Sequence, residues 1–407
     1  MIKKIRLDQL AVGMFVHDFN CAWLNHPFLV NRMLISSEKL LEKVVMSGIR
    51  ELYIDTDKGL DVEDAPTAEE ARQQIEQELI ELAARRPEPA GRVTVAEEIP
   101  RATQIRKRAY KLMQAAMQDA RLGKAIHVDE VHAVVQDITE SILRNQSALA
   151  GLLRIKNKDD YTFLHSVTVC TLMVAFCRSV GMDGDTVHQT GIGGLLHDIG
   201  KALVPDGILN KPGKLTEEEF AVIKRHPVDG YEILQRSGEF GEIALDITLH
   251  HHERMDGSGY TKSLPGERIS TFTQMATLVD VYDALTSDRC YHKAEPAAEA
   301  LRKIYEWSRS EFDPNTVQAF MRCTGIYPVG TLVLLQSGRL GVVTEPHETN
   351  LLAPKVTVFF STRSNTYIRP QEVDLSRPFG MGGGDRIMSH ESPEKWRVDP
   401  AMFLSMH

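Results

Sequence analysis

Histidines and aspartates recur in five separated stretches of this chain, and together they are types that could hold metal ions. The stretch "LHHHERMDGSGYT" at residues 249–261 runs three consecutive histidines into a turn built on Asp256, Gly257 and Gly259. "GLLHDIGKALVP" sets His197 beside Asp198 just before a glycine, and "DDYTFLHSVTV" places His165 ahead of a strongly apolar run. His226 precedes Pro227 in "VIKRHPVDGYEIL", and Asp280 ends an apolar stretch in "ATLVDVYDALTSDRCYH". Alone, each has a plain reading: a polar pair at a helix end, a satisfied boundary histidine, a residue between two helices.

Combined, they suggest a cluster. Imidazoles with carboxylates suit intermediate divalent metals such as iron, manganese or zinc, whereas an all-oxygen site would suit magnesium or calcium. His165, His197, His226, His251 and His252 with Asp198 and Asp280 are enough ligands for two ions, with Asp198 as the natural bridge. Two such ions can hold a hydroxide between them, polarise a phosphoryl oxygen and steady the leaving alkoxide, which is phosphodiester hydrolysis. The glycine turn is not a P-loop, since that needs a lysine and a following helix. Gly257 suits positive φ and Gly259 a close backbone approach.

The ordered set "YTFLHS", "HDIGK", "KRHP", "HHERMDGSGY" and "DVYDALTSDRCY" resembles the HD-GYP subgroup of HD-domain phosphohydrolases, helical bacterial enzymes that hydrolyse cyclic di-GMP with a cluster of metals. The resemblance implies metal ligation by His165, His197, Asp198, His226, His251, His252 and Asp280. It leaves His250 as a neighbouring or structural residue. Lys201 and Arg289 match basic residues that contact the scissile phosphate, where fixed cations stabilise the charge gained in the transition state. Tyr260 is expected to pack or hydrogen-bond in the cleft.

Two positions depart from the family pattern. Tyr161 stands where some members place a glutamate for a third metal, so a binuclear site is expected, of iron or manganese, with zinc, nickel or cobalt as alternatives. Thr261 replaces the proline of the Gly-Tyr-Pro signature, and the expectation is a more flexible loop. The implied activity is conversion of cyclic di-GMP to pGpG, with either pGpG or GMP as end product, by a hydroxide bridging two metals, with Asp198 and Lys201 as catalytic residues and Lys201, Arg289 and Tyr260 binding substrate. The alternatives are a catalytically weak cyclic di-GMP sensor and a mononucleotide phosphohydrolase, the latter leaving "HHERMDGSGY" unexplained. A diguanylate cyclase or another signalling protein docking on the Gly259-Tyr260-Thr261 loop is a further expectation.

Such a cluster needs helices to position it. Stripes at helical spacing run over about 101–122 and 128–156, the second through Val131, Val135, Ile138, Ile142 and Leu149, and the chain stays helical to about residue 325. The expected fold is mainly α, with an all-helical catalytic domain at 128–325. A mixed α/β accessory domain covers 1–65, with strands in "GMFVHDF" and "ELYIDT" around the helix "SSEKLLEKVVMSG". An acidic, proline-punctuated linker with a helix covers 66–127, a small β-rich appendage 326–378, and a poorly ordered tail 379–407.

Composition excludes other classes. A net charge of −9 argues against DNA binding. Five cysteines without paired spacing signal neither a disulfide framework nor a zinc finger. No run reaches the ~20 apolar residues of a membrane span, and no signal peptide opens the chain, so a cytoplasmic location is expected. The long helices leave a homodimer open.

Overall fold

The computed structural model describes residues 1–21, 32–47, 49–83, 93–154, 161–211, 213, 215–287, 294–308, 310–347, 350, 352–377 and 384–404. At the N-terminus, β1 (Ile2–Arg6), β2 (Phe15–Asp18), β3 (Met33–Leu34) and β4 (Glu51–Asp55) form an antiparallel sheet in the order β1-β4-β2-β3. Helix α1 (Glu38–Val45) starts at Ser37, whose side chain accepts from the Leu40 amide. Val44 on α1 buries against Leu52 and Ile54 of β4. Because strand side chains alternate, Tyr53 points the other way, out of this small core.

Helix α2 (Ala68–Ala83) crosses the acidic stretch, and α3 (Val95–Arg121) follows. Helix α3 begins six residues before the expected 101, because Thr94 and Glu97 form a reciprocal capping box. Its Ala102, Ala109 and Met113 are buried in the large helical core. The helix expected over 128–156 divides at Asn145 into α4 (Val128–Arg144) and α5 (Gln146–Arg154). The Asn145 side chain accepts from the Ser147 and Ala148 amides and so caps a new helix. Buried Glu98 on α3 holds Ser141 and Arg144 of α4 at 2.9 and 2.8 Å.

Helices α6 (Tyr161–Ser179), α7 (Gly184–Leu196), α8 (Asp206–Leu209), α9 (Glu217–Ile223), α10 (His226–Ser237), α11 (Glu242–His250), α12 (Thr271–Thr286), α13 (Ala297–Trp307) and α14 (Pro314–Thr324) complete the bundle. Helix α6 is apolar on every side and lies at its centre, burying Val167, Cys170, Met173 and Val174. A 3-10 turn at Ile199–Leu203 follows α7 and lies directly on α10. Gly200 permits that approach, since a Cβ there would stand 2.0 Å from the His226 carbonyl oxygen.

The C-terminal sheet contains β5 (Leu332–Leu335), β6 (Arg339–Glu345), β7 (Lys355–Ser361), β8 (Thr366–Asp374) and β9 (Ile387–His390), all antiparallel in the order β8-β7-β6-β5-β9. The β5–β6 hairpin turns at Gly338, with φ +79°. Residues 379–407 are expected to be a poorly ordered tail, and the described part of them corrects this. β9 pairs with β5, and after α15 (Pro393–Trp396), Phe403 on α16 (Ala401–Leu404) stacks on Phe359 with ring centroids 4.2 Å apart. An open edge of β5 and an apolar sheet face give these residues a place to bury. No helix among the described residues is long and apolar enough to cross a membrane.

Candidate metal centre

The seven expected ligands come from six places in the chain and meet in the middle of the bundle. His165 lies in the second turn of α6, His197 ends α7, Asp198 opens the 3-10 turn, His226 starts α10, His251 and His252 follow α11, and Asp280 lies on α12. They fall into two groups, His165, His197 and Asp280 in one, and Asp198, His226, His251 and His252 in the other, with ligand atoms inside each group within 4.8 Å of one another. Asp198 stands between them. Its Oδ1 faces His226 Nε2 at 3.2 Å and His251 Nε2 at 3.7 Å, while Oδ2 faces His197 Nε2 at 3.4 Å and His165 Nε2 at 3.5 Å.

The surrounding backbone prepares the imidazoles for this role. His197 Nδ1 donates to the Gly194 carbonyl at 2.8 Å, His226 Nδ1 to the Ile223 carbonyl at 2.8 Å, and His251 Nδ1 to the Thr248 carbonyl at 3.0 Å. His165 Nδ1 meets the Asp283 carboxylate at 2.7 Å. A carbonyl can only accept, so the rings bonded to one carry the proton on Nδ1 and turn an Nε2 lone pair inward. His197 Nε2 and Asp198 Oδ1, both buried, make no hydrogen bond among the described residues. Buried acceptors converging without donors are what divalent cations would satisfy, so the residues fit the metals expected from the sequence.

Electrostatics agree. Burial alone would push the Asp198 carboxyl up, but Lys201 and His197 outweigh it and hold it well below the usual carboxylate range. Burial likewise opposes ionisation of Asp280, and His165 and His197 reverse the effect. Burial and the neighbouring imidazoles push His251 and His252 well below the ordinary histidine value. The centre therefore presents anionic carboxylates and, at His226, His251 and His252, neutral imidazoles, the ligand-competent forms.

Lys201 Nζ lies 2.6 Å from Asp198 Oδ2. Tyr260 stacks on His252 with ring centroids 4.6 Å apart, and Lys224 lies 5.4 Å from its ring centre. Burial and the nearby Asp198 and Asp280 push its hydroxyl well above the ordinary tyrosine value, so it stays protonated. Arg289 lies outside the described residues, as does the side chain of Tyr161. His250 is not among the grouped ligands; its Nδ1 meets Asp246 at 2.8 Å.

Gly257 has φ +76°, and Gly259 comes so close to the chain that a Cβ would stand 2.5 Å from Glu253 Cα. The expected flexibility at Thr261 is not what the structure has. Thr261 sits at φ +101°, a region proline cannot enter, and its hydroxyl reaches the Leu249 carbonyl and Glu253 Oε1, both at 3.0 Å. Glu253 also accepts from the Lys262 and Leu264 amides, so this buried carboxylate braces the whole loop.

Sequence reasoning passed over Asp283 and Glu253. Asp283 follows Asp280, one of the expected ligands, by one helical turn on α12, and that spacing was the available signal. It also missed what closes the cleft. A cavity of about 340 Å³ over the centre is lined by Lys201, His252 and Tyr260 and, from the N-terminal sheet region, by Asn20, Cys21 and Tyr53.

Comparison with known proteins bears on this arrangement. Residues 141–316 match the HD domain family, and residues 2–131 match a domain of unknown function. Cyclic di-GMP phosphodiesterase PA4108 of Pseudomonas aeruginosa is 45% identical, over 97% of this chain and 94% of its own length. Cyclic di-GMP phosphodiesterase response regulator RpfG of Xanthomonas campestris is 35% identical, over 54% of this chain and 59% of its own. Among solved structures, Bd1817, an HDG"Y"P protein from Bdellovibrio bacteriovorus, aligns with TM-score 0.47 and 22% identity, covering 79% of this chain and 98% of its own.

Proposed function

Because the chain belongs to the HD-GYP family of HD-domain metal-dependent phosphohydrolases, we propose that it opens cyclic di-GMP to pGpG at a centre of two divalent cations. It is a cyclic di-GMP phosphodiesterase, and its turnover lowers the level of that second messenger. The observation that carries the mechanism is Asp198, which turns one oxygen to each histidine group. The mixed imidazole and carboxylate donor set suits iron or manganese, with zinc, nickel and cobalt as alternatives.

Bound there, the cations would polarise the phosphoryl group and activate water. The chain's own residues do the rest. Asp198 and Asp280 fix the charge of the centre, and the backbone-anchored imidazoles keep their lone pairs inward. Lys201, which now rests on Asp198, has its ammonium at the edge of the cleft to meet a non-bridging phosphate oxygen, and Arg289 is its proposed partner. Tyr260, flat on His252, narrows the cleft and excludes water.

Asp198→Ala and His197→Ala should each abolish hydrolysis of cyclic di-GMP by metal-loaded protein while leaving the far-ultraviolet circular dichroism of the wild type. Wild-type rates in either variant would exclude the assignment. The unusual backbone at Thr261 supports one second reading, a sensor that binds cyclic di-GMP and barely turns it over. Binding without product release over many enzyme equivalents would favour it.

A further inference from the structure

Cyclic di-GMP is a dianion whose two phosphodiesters stand on opposite sides of its macrocycle. When one lies on the metal centre, the other is held away from it, toward the mouth of the cleft. The cleft walls include Asp18, Glu295 and Glu306, so a second anion there needs a cation of its own.

Among the described residues, the lysines and arginines lining the cleft are Lys201, Lys211, Arg254, Arg302 and Lys303, and each already meets a carboxylate. Lys201 is assigned to the phosphate that is cut, which leaves four cations held by glutamates. Lys224 differs from all of them. It is exposed at the end of α9, and its ammonium makes no ion pair or hydrogen bond among the described residues. Instead Nζ lies 4.6 Å from the ring centre of Phe220, one helical turn back, and 5.4 Å from that of Tyr260. Both rings line the cleft, and they meet edge to face with centroids 6.5 Å apart.

A carboxylate neutralises the ammonium that it holds, whereas an aromatic face attracts it through the ring quadrupole and leaves the full charge in place. Lys224 is therefore positioned without being neutralised. Tyr260 itself stacks on His252, an expected ligand, so the ammonium is one aromatic ring removed from the metal centre. We propose that Lys224 binds the second, uncut phosphate of the cyclic dinucleotide, with Phe220 and Tyr260 fixing its ammonium at the mouth of the cleft. This rests on the phosphodiesterase reading and adds to it a residue that distinguishes a cyclic dinucleotide from a single phosphodiester.

The test uses full-length, manganese-loaded protein with two substrates, cyclic di-GMP and bis(p-nitrophenyl) phosphate, a diester with one phosphate. Lys224→Met keeps an aliphatic stem on the rings and removes the charge. It is expected to raise KM for cyclic di-GMP about tenfold with kcat within about twofold, since binding common to ground and transition states is lost while the chemistry is not. Turnover of the single diester should stay within about twofold of the wild type, because its one phosphate lies on the metals. Lys224→Arg keeps the charge and should return KM for cyclic di-GMP to within about threefold of the wild type. Added salt should lower kcat/KM for cyclic di-GMP more steeply in the wild type than in Lys224→Met. Unchanged KM for cyclic di-GMP in Lys224→Met overturns the contact. Equal losses on both substrates also overturn it, since the lysine would then only prop the Tyr260 wall that both substrates meet, and so does an arginine variant no better than the methionine one. A wild type that cleaves the single diester but not cyclic di-GMP overturns the phosphodiesterase reading and the contact with it.

Discussion

His226 and His251 point their Nε2 atoms at each other across 3.1 Å, while the Nδ1 of each ring is held by a backbone carbonyl. Both rings are thereby fixed with lone pairs facing, an arrangement that repels unless a cation stands beside them.

Metal binding should therefore stabilise the fold as well as enable turnover. Manganese at about a hundredfold over its Kd is expected to add roughly 2.7 kcal/mol, seen as a clear rise in Tm that a chelator reverses. Magnesium, which prefers oxygen ligands, should do far less. Melting curves that are the same with manganese and with chelator would contradict this picture of the histidine pair.

The 2.7 Å contact between Asp283 and His165 Nδ1 makes a separate prediction. Asp283→Asn weakens the anchor that orients the ring, and losses of this kind typically cost about 10–100-fold in metal affinity. Metal content after dialysis against a graded chelator series reads it directly. Retention equal to the wild type would mean that packing alone holds His165.

Restoring the family's proline at Thr261 should harm this chain. Proline holds φ near about −65°, far from the +101° found here, so Thr261→Pro must rebuild the loop at a cost of about 1–3 kcal/mol. Thr261→Gly relaxes the backbone but loses the hydroxyl bonds to Leu249 and Glu253, and should stay within about 1 kcal/mol of wild type. Urea unfolding of both variants checks the order. A proline variant as stable as the wild type would exclude the left-handed geometry.

Acid should destabilise the metal-free protein before ordinary carboxylates titrate. Burial lowers the pKa of His226, His251 and His252 below the usual 6.5, so the folded chain binds fewer protons at these rings than the unfolded one. Their contribution is complete above that value and is lost as pH falls below it toward the depressed folded values. His197 moves the other way, since Asp198 and Asp280 outweigh its burial, and offsets part of the effect. Urea midpoints at pH 7.5 and pH 5.5, about one unit either side of the histidine value, should fall with acid; a midpoint that holds or rises would refute the assignment of neutral imidazoles.

Much of the site was legible before any coordinates. His197–Asp198, His251–His252 and the isolated His165, His226 and Asp280 are chemically conspicuous, because such residues at the ends of apolar stretches are costly unless they bind something. Asp283 and Glu253 were harder to see, since a carboxylate that braces another residue looks like any other polar position. The helix boundaries moved at Thr94 and Asn145, where local capping bonds override a continuing apolar stripe.

The sequence by itself determined the helical bundle, the donor types and the metal chemistry they permit, because helical period and ligand preference are local properties of side chains. Only the tertiary structure decided that Asp198 divides its oxygens between two histidine groups, that Thr261 is pinned in a left-handed turn, and that Tyr53 crosses from β4 to Glu306 on α13. Each of these depends on contacts between residues far apart or on a backbone angle held by them, and no periodicity along the chain encodes which distant groups will meet.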